Sequence, residues 1–229
     1  MEPQKEFELK TSWSLDTYGD YYAQLIKGHT PQLADAVRAS RLEAKEFFDH
    51  GIITRGCRVL DTGCGHGRSA IGMMDYGIGG YTGLDVIAES IEFCKKAFAQ
   101  VRGFDFRHLD VHNEFYNPNG KQKPSEVVFP VGTGSYDAVI AGSLYTHLGT
   151  KQICDHYLDE SARALKPGGR IFCSWFRSPP NTVTDDLVRT VLTESDILDI
   201  VSKRFHIYFC AGGINDGYNN QWCLFGRKK

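Results

Sequence analysis

Apolar positions along the chain change their period near residue 58. Before that point they recur at helical intervals. Leu33, Val37, Ala44, Phe47 and Phe48 fall on one stripe of a helix expected over residues 31–49, with Thr30 as its cap and Pro31 at its first position. A shorter helix is expected over residues 16–27. Beyond residue 58, short apolar runs alternate with longer amphipathic ones, the pattern of β-α-β units and a mainly parallel sheet. Strands are expected at 58–61, 81–85, 105–109, 136–141 and 170–175, then a final pair at 206–210 and 221–226. Helices are expected at 67–76, 88–101, 151–166 and 184–201. The helix at 151 places Ile153, Tyr157, Leu158, Ala162 and Leu165 on one side. It should stop at "KPGG", where Pro167 cannot continue it and Gly168 takes the left-handed turn.

Two departures from regularity matter. The stretch "NPNGKQKPSE", residues 117–126, is polar and turn-rich and reads as a surface insertion before the fourth strand. The last two strands are joined by "AGGINDGYNN", too short for a parallel crossover, so the final strand should run antiparallel.

At 229 residues with 41% hydrophobic content, the chain suits one well-buried core. The expectation is a single domain over 1–229, with 1–50 as an N-terminal helical cap or lid and 51–229 as the α/β core. The net charge of -2, with cations dispersed, lacks the footprint of a nucleic-acid binder. The start, "MEPQKEFELK", is charged and no apolar run reaches membrane-spanning length, which suggests a cytoplasmic protein without a membrane partner, monomeric or homodimeric. The seven cysteines form no C-x-x-C pair and mostly sit in apolar segments, as buried thiols do. His108, Asp110 and His112 of "HLDVH" share one face of an extended segment, but no further ligand lies at helical spacing, so no metal is expected.

The segment "VLDTGCGHGRSA", Val59 to Ala70, carries the chemistry. A strand feeding a glycine-rich turn and a helix places a ligand at the carboxyl edge of an open sheet. Asp85, ending the next strand, can accept both hydrogens of a ribose diol, which points to an adenosine-containing cofactor. The glycines read G-x-G-x-G rather than the dinucleotide G-x-G-x-x-G, and Asp61 precedes them. A carboxylate suits a ligand bearing an ammonium and a sulfonium better than a pyrophosphate. That disfavours a nicotinamide-dependent dehydrogenase and favours S-adenosyl-L-methionine.

With "YTGLDVIAESI", "FRHLDV", "FPVGTGSYDAVIAGSLYTHL" and "ARALKPGGRIFCSWF" following in order, the chain resembles the class I S-adenosylmethionine-dependent methyltransferases, small-molecule branch, over roughly residues 50–176. The resemblance implies a Rossmann-like, seven-stranded, mostly parallel α/β sheet with an antiparallel last strand. It further implies that Gly63, Cys64, Gly65 and Gly67 form the loop under the cofactor and that Asp61 orients the amino group. Asp85 would hold the ribose, Val86, Ile87 and Val111 the adenine, Asp110 the adenine amino group, and Ala141 with Gly142 the methionine portion. The product is S-adenosyl-L-homocysteine.

Methyl transfer from a sulfonium mainly requires alignment and exclusion of water, with a base where the acceptor is a hydroxyl. His147 in "SLYTHL" is the candidate base, with packing against the next helix as its alternative role. Candidate acceptor contacts are Tyr18 and Tyr22, near Trp13 and Tyr21, then Tyr145, Arg177, and Tyr218 beside Asn215. "AGSLYT" after the fourth strand lacks the Pro-Pro-aromatic, Pro-Cys and magnesium-binding Asp signatures of other sub-classes. The expected partner is a small-molecule acceptor, oxygen first and amine nitrogen second. A cofactor-binding subunit without turnover stays open.

Overall fold

The computed structural model describes Tyr18 and residues 33–178, 189–212 and 221–229. Its centre is built from short strands buried on both faces. These are β1 (Arg58–Asp61), β2 (Gly80–Asp85) and β4 (Tyr136–Ala141). Such runs suit the middle of a parallel sheet with helices on either side. Val59 and Leu60 are neighbours in β1 and pack into opposite apolar clusters, as the two-residue period of a strand demands.

With β3 (Phe104–His108), β5 (Leu165–Ser178), β7 (Phe205–Gly212) and β8 (Trp222–Lys228), the sheet order is β3-β2-β1-β4-β5-β8-β7. β1 pairs in parallel with both β2 and β4. β8 runs antiparallel to β5 and to β7, as its hairpin connection required. The order reverses between β1 and β4, and the crevice at such a switch point is where open α/β sheets take ligands.

One face of the sheet carries α1 (Leu33–Asp49), α2 (Arg68–Met74) and α3 (Ala88–Ala97). The other carries α4 (Lys151–Ala164) and α5 (Glu194–Ser202). On α1, Val37, Ala44 and Phe47 are buried, and the Phe47 ring lies 4.7 Å from Phe172 of β5. Phe48, assigned to the same stripe, is 42% exposed and rests on Tyr76 instead. Successive helical residues are about 100° apart, so only one of two adjacent aromatics can face the core.

The C-terminal half departs from expectation in two places. The helix expected at 184–201 begins only at Glu194 and is preceded by a short strand, β6 (Val191–Thr193), parallel to the end of β5. The Thr193 hydroxyl accepts from the Asp196 amide at 3.1 Å, and this cap sets the start. Residues 184–188 lie outside the described residues. "KPGG" belongs to the extended run of β5, with Gly168 in the expected left-handed conformation at φ +70°. Leu165 already faces Tyr136 of β4 there, so pairing starts as the helix ends.

The insertion at 117–126 is at the surface, closed by an Asn113–Asn117 bridge and a Val111–Gln122 bridge. Among the described residues no helix is long and apolar enough to cross a membrane. Of the seven cysteines, all free, six are buried and Cys210 is exposed.

Candidate active site

Beyond Asp61 the chain turns through the glycine loop into α2. Gly65 and Gly67 have φ of +50° and +75°, conformations that side chains other than glycine resist. The loop is tied to both flanking strands. Thr62 N–H donates to Ile140 O at 2.9 Å on β4, and Cys64 N–H donates to Leu84 O at 3.0 Å on β2. Asp85 Oδ2 accepts from Gly65 N–H at 2.7 Å, while Oδ1 accepts from Ile87 N–H at 2.9 Å.

Asp61 is 3% exposed. Its carboxylate accepts from the Tyr81 hydroxyl at 2.6 Å and from Gly63 N–H at 3.3 Å. Burial, joined by the Glu43 and Asp85 charges, pushes the carboxyl up against the pull of the two hydrogen bonds, to about 7. Burial also raises Asp85, against the pull of the Ile87, Gly65 and Val86 amides and of His66. Among the described residues no lysine, arginine or histidine forms an ion pair with Asp61. A buried carboxylate in that state is complementary to a cationic ligand group.

A cavity of about 290 Å³ opens at this edge of the sheet. Of the expected cofactor residues, Gly63, Gly65, Asp85, Val86, Ile87, Val111 and Gly142 line it. His147 lines it as well. Leu109, Leu144 and Leu148 make much of the remaining wall apolar.

Other expected residues stand outside the lining. Asp61 and Ala141 sit behind it at the strand ends, and Gly67 opens α2. Cys64 turns its thiol toward Gly83 of β2. Asp110 is directed to the insertion, accepting from Lys121 N–H at 3.4 Å and lying 3.8 Å from its ammonium. His108 and His112 contact the Val86 and Pro118 carbonyls, and the described residues hold no metal-ligating cluster.

The expected acceptor residues are less well gathered. Tyr18 is fully buried, donates to His66 O at 3.0 Å and stands edge-on to Phe93, so it supports the glycine loop from behind. Tyr145 is not at the cavity. It is fully buried and stacks on Trp175 at 4.3 Å, because the turn that directs Leu144 into the cavity sends the next side chain into the core. Arg177 is also absent from the lining, pairing with Glu194 at 3.0 Å over the Trp222 ring. Trp13, Tyr21, Tyr22, Asn215 and Tyr218 lie outside the described residues.

The structure adds residues that sequence reasoning missed. Tyr116 lines the cavity, with its hydroxyl 3.4 Å from His147 Nε2 and its ring edge-on to the imidazole. Asn113 makes that contact possible. Its Oδ1 accepts from the Phe115 and Tyr116 amides, and its Nδ2 donates to His147 O at 3.1 Å. An asparagine that closes its own turn is the signal in "NEFYN" that could have located this wall. His66 lines the cavity beside Asp85, with Nε2 3.2 Å from the Ser90 hydroxyl, and burial lowers its pKa. Ser143 lines it from the end of β4.

A family model described as a methyltransferase domain matches residues 60–173. The chain is 33% identical over 118 residues to a fatty-acid O-methyltransferase of Mycolicibacterium smegmatis, a match covering 50% of this chain and 35% of that protein. It is 26% identical over 164 residues to a ubiquinone biosynthesis O-methyltransferase of Dechloromonas aromatica, covering 71% of this chain and 61% of the relative. The chain thus spans about a third and about three-fifths of these two proteins. Among solved structures, its fold is similar to the 1,6-didemethyltoxoflavin-N1-methyltransferase of Burkholderia thailandensis, with a TM-score of 0.61 and 18% identity, covering 93% of this chain and 87% of the other.

Proposed function

Because residues 60–173 form a methyltransferase domain within a class I fold, we propose that the protein transfers a methyl group from S-adenosyl-L-methionine to a hydroxyl oxygen of a small molecule. The carrying observation is the buried Asp61 carboxylate, without a cationic partner among the described residues, beside a glycine loop tied to Asp85. That arrangement fits a ligand with an ammonium at one end and a ribose at the other. The names of the two curated relatives described above, as O-methyltransferases, support oxygen over nitrogen.

When bound, the cofactor supplies an electrophilic methyl group on a cationic sulfur. Asp61 holds the ammonium and Asp85 the ribose hydroxyls. Gly63, Gly65 and Gly67 let the backbone pass close beneath, with Cys64 anchoring the loop to β2. Val86, Ile87 and Val111 would flank the adenine, and Gly142, with Ala141 behind it, would border the methionine portion, whereas Asp110, turned to Lys121 of the insertion, stands outside the cavity lining. His147 takes the proton that the acceptor hydroxyl loses, and Tyr116 holds the imidazole. The apolar wall excludes water from the reacting atoms. The six buried free thiols support a reducing compartment such as the cytoplasm.

Calorimetric titration with S-adenosyl-L-homocysteine tests this reading. Wild type should bind, and Asp85→Ala should lose about a hundredfold or more in affinity. A folded wild type that does not bind ends the methyltransferase reading.

A further inference from the structure

A polar cluster at the carboxyl ends of β4 and β5 has no part in the reaction just outlined. Ser143 is the only non-glycine residue with positive φ among the described residues, at +57°. A side chain there costs backbone energy that glycine would not. A ring of three hydrogen bonds with two partners holds it. Its N–H donates to Ser174 Oγ at 2.7 Å, the Ser174 hydroxyl donates to Gln221 Oε1 at 2.6 Å, and Gln221 Nε2 donates to Ser143 Oγ at 3.0 Å. Ser174 is fully buried, so this ring is built into the sheet edge rather than draped over it.

The hydrogens in this ring do not all find good partners. Ser143 Oγ is already an acceptor, and among the described residues its own proton has only Gln221 Oε1, at 3.3 Å. That is long for a hydroxyl donor, and the same oxygen already receives Ser174. The second amide hydrogen of Gln221 has no partner among the described residues. Of these two neutral donors, Ser143 lines the cavity, whose lining holds no lysine or arginine, and the Gln221 amide, outside that lining, is bound to Ser143 Oγ at 3.0 Å. Leu144 and Leu148 provide apolar wall nearby.

We propose that the Ser143 hydroxyl and the Gln221 amide form a two-donor subsite for a carbonyl or carboxylate oxygen of the acceptor. This rests on the methyl-transfer reading and deepens it. The acceptor is then a hydroxylated small molecule with a neighbouring carbonyl or carboxylate on an apolar skeleton. The hydroxyl is methylated, and the second oxygen is the handle that orients it. Glycine at this position would relax the backbone and lose the donor.

Ser143→Gly is the decisive variant. It keeps the N–H to Ser174, suits the left-handed backbone and deletes only the hydroxymethyl group. Thermal stability and affinity for S-adenosyl-L-homocysteine are measured first. Salicylate and 3-hydroxydecanoate are then titrated into the protein loaded with S-adenosyl-L-homocysteine, against phenol and decanol. The proposal expects stability unchanged or raised and cofactor-product affinity within about twofold of wild type. It expects binding of at least one hydroxy acid weakened about tenfold in Ser143→Gly and also in Gln221→Leu, with phenol and decanol unaffected.

Three results overturn it. The first is a wild type that binds neither hydroxy acid, and the second is full affinity for them in Ser143→Gly. The third is weakened S-adenosyl-L-homocysteine binding with unchanged methylthioadenosine binding, which assigns the donors to the carboxylate of the cofactor. Failure of folded wild type to bind S-adenosyl-L-homocysteine ends the methyltransferase reading and this proposal together.

Discussion

The Tyr81 hydroxyl donates to Asp61 Oδ2 at 2.6 Å, joining β2 to the last residue of β1 behind the glycine loop. Both groups are buried, and Tyr81 lies against the Phe104 and Phe106 rings. Glu43 reaches toward the same region from α1, itself buried and accepting from the Ser69 hydroxyl at 2.6 Å. The protein thus gathers negative charge under the loop, which favours a cation there and burdens the fold without one.

That burden has a measurable sign. Burial raises the Asp61 carboxyl from 3.8 to about 7, so the folded state holds a proton that the unfolded state has lost across that window. The stability it contributes is full below about pH 4 and is lost as pH rises through about 7, with a magnitude on the order of 4 kcal/mol. Asp61→Asn removes the charge, keeps one acceptor oxygen and puts in place of the other an amide NH2, from which the Tyr81 hydroxyl oxygen can accept. Urea unfolding is compared at about pH 5 and about pH 8, and between the two the wild type should lose about 2–3 kcal/mol more than Asp61→Asn does. Asp61→Asn should be the more stable of the two proteins at the higher pH and should bind S-adenosyl-L-homocysteine poorly. Equal slopes for the two proteins would remove Asp61 as the titrating group.

His147 and Tyr116 invite a different measurement. If the imidazole takes the acceptor proton, His147→Ala should lower the turnover of radiolabelled methyl transfer by about 10²–10⁴-fold while leaving S-adenosyl-L-homocysteine affinity unchanged. Tyr116→Phe loses only a 3.4 Å contact and should cost about tenfold in turnover. Unchanged turnover in His147→Ala would return that residue to a packing role.

The legible parts of this molecule are those whose signals are local. Residues 58–67 carry strand, acid and glycines in one short segment, and Asp85 ends the next apolar run, so loop and partner were both visible. The antiparallel β8 followed from loop length alone. What escaped depends on which of two adjacent side chains turns inward. Phe47 and Phe48, or Leu144 and Tyr145, are equivalent in hydrophobicity patterns, and only packing against Phe172 and Trp175 separates them. Tyr116 escaped because its segment is polar and aperiodic and reaches His147 through the turn of Asn113. The start of α5 escaped because the Thr193 cap outweighed the apolar stripe that ran before it.

A last prediction concerns how α1 is held over α2. Gly72 sits against Ser40, and its N–H donates to the Ser40 hydroxyl at 2.8 Å. A Cβ at Gly72 would lie 2.2 Å from the Ser40 carbonyl oxygen, and that oxygen is helix backbone that cannot rotate away. Gly72→Ala must therefore push the helices apart, at a cost of about 1–3 kcal/mol despite the better helix propensity of alanine. The same displacement moves Glu43 relative to Ser69 and Arg68, in the first turn after the glycine loop. S-adenosyl-L-homocysteine affinity should fall together with the urea midpoint. Ser40→Gly in the Gly72→Ala background keeps the clash, since the obstructing atom is main chain, and should rescue neither. A midpoint equal to wild type in Gly72→Ala would mean that the two helices are not held at this contact.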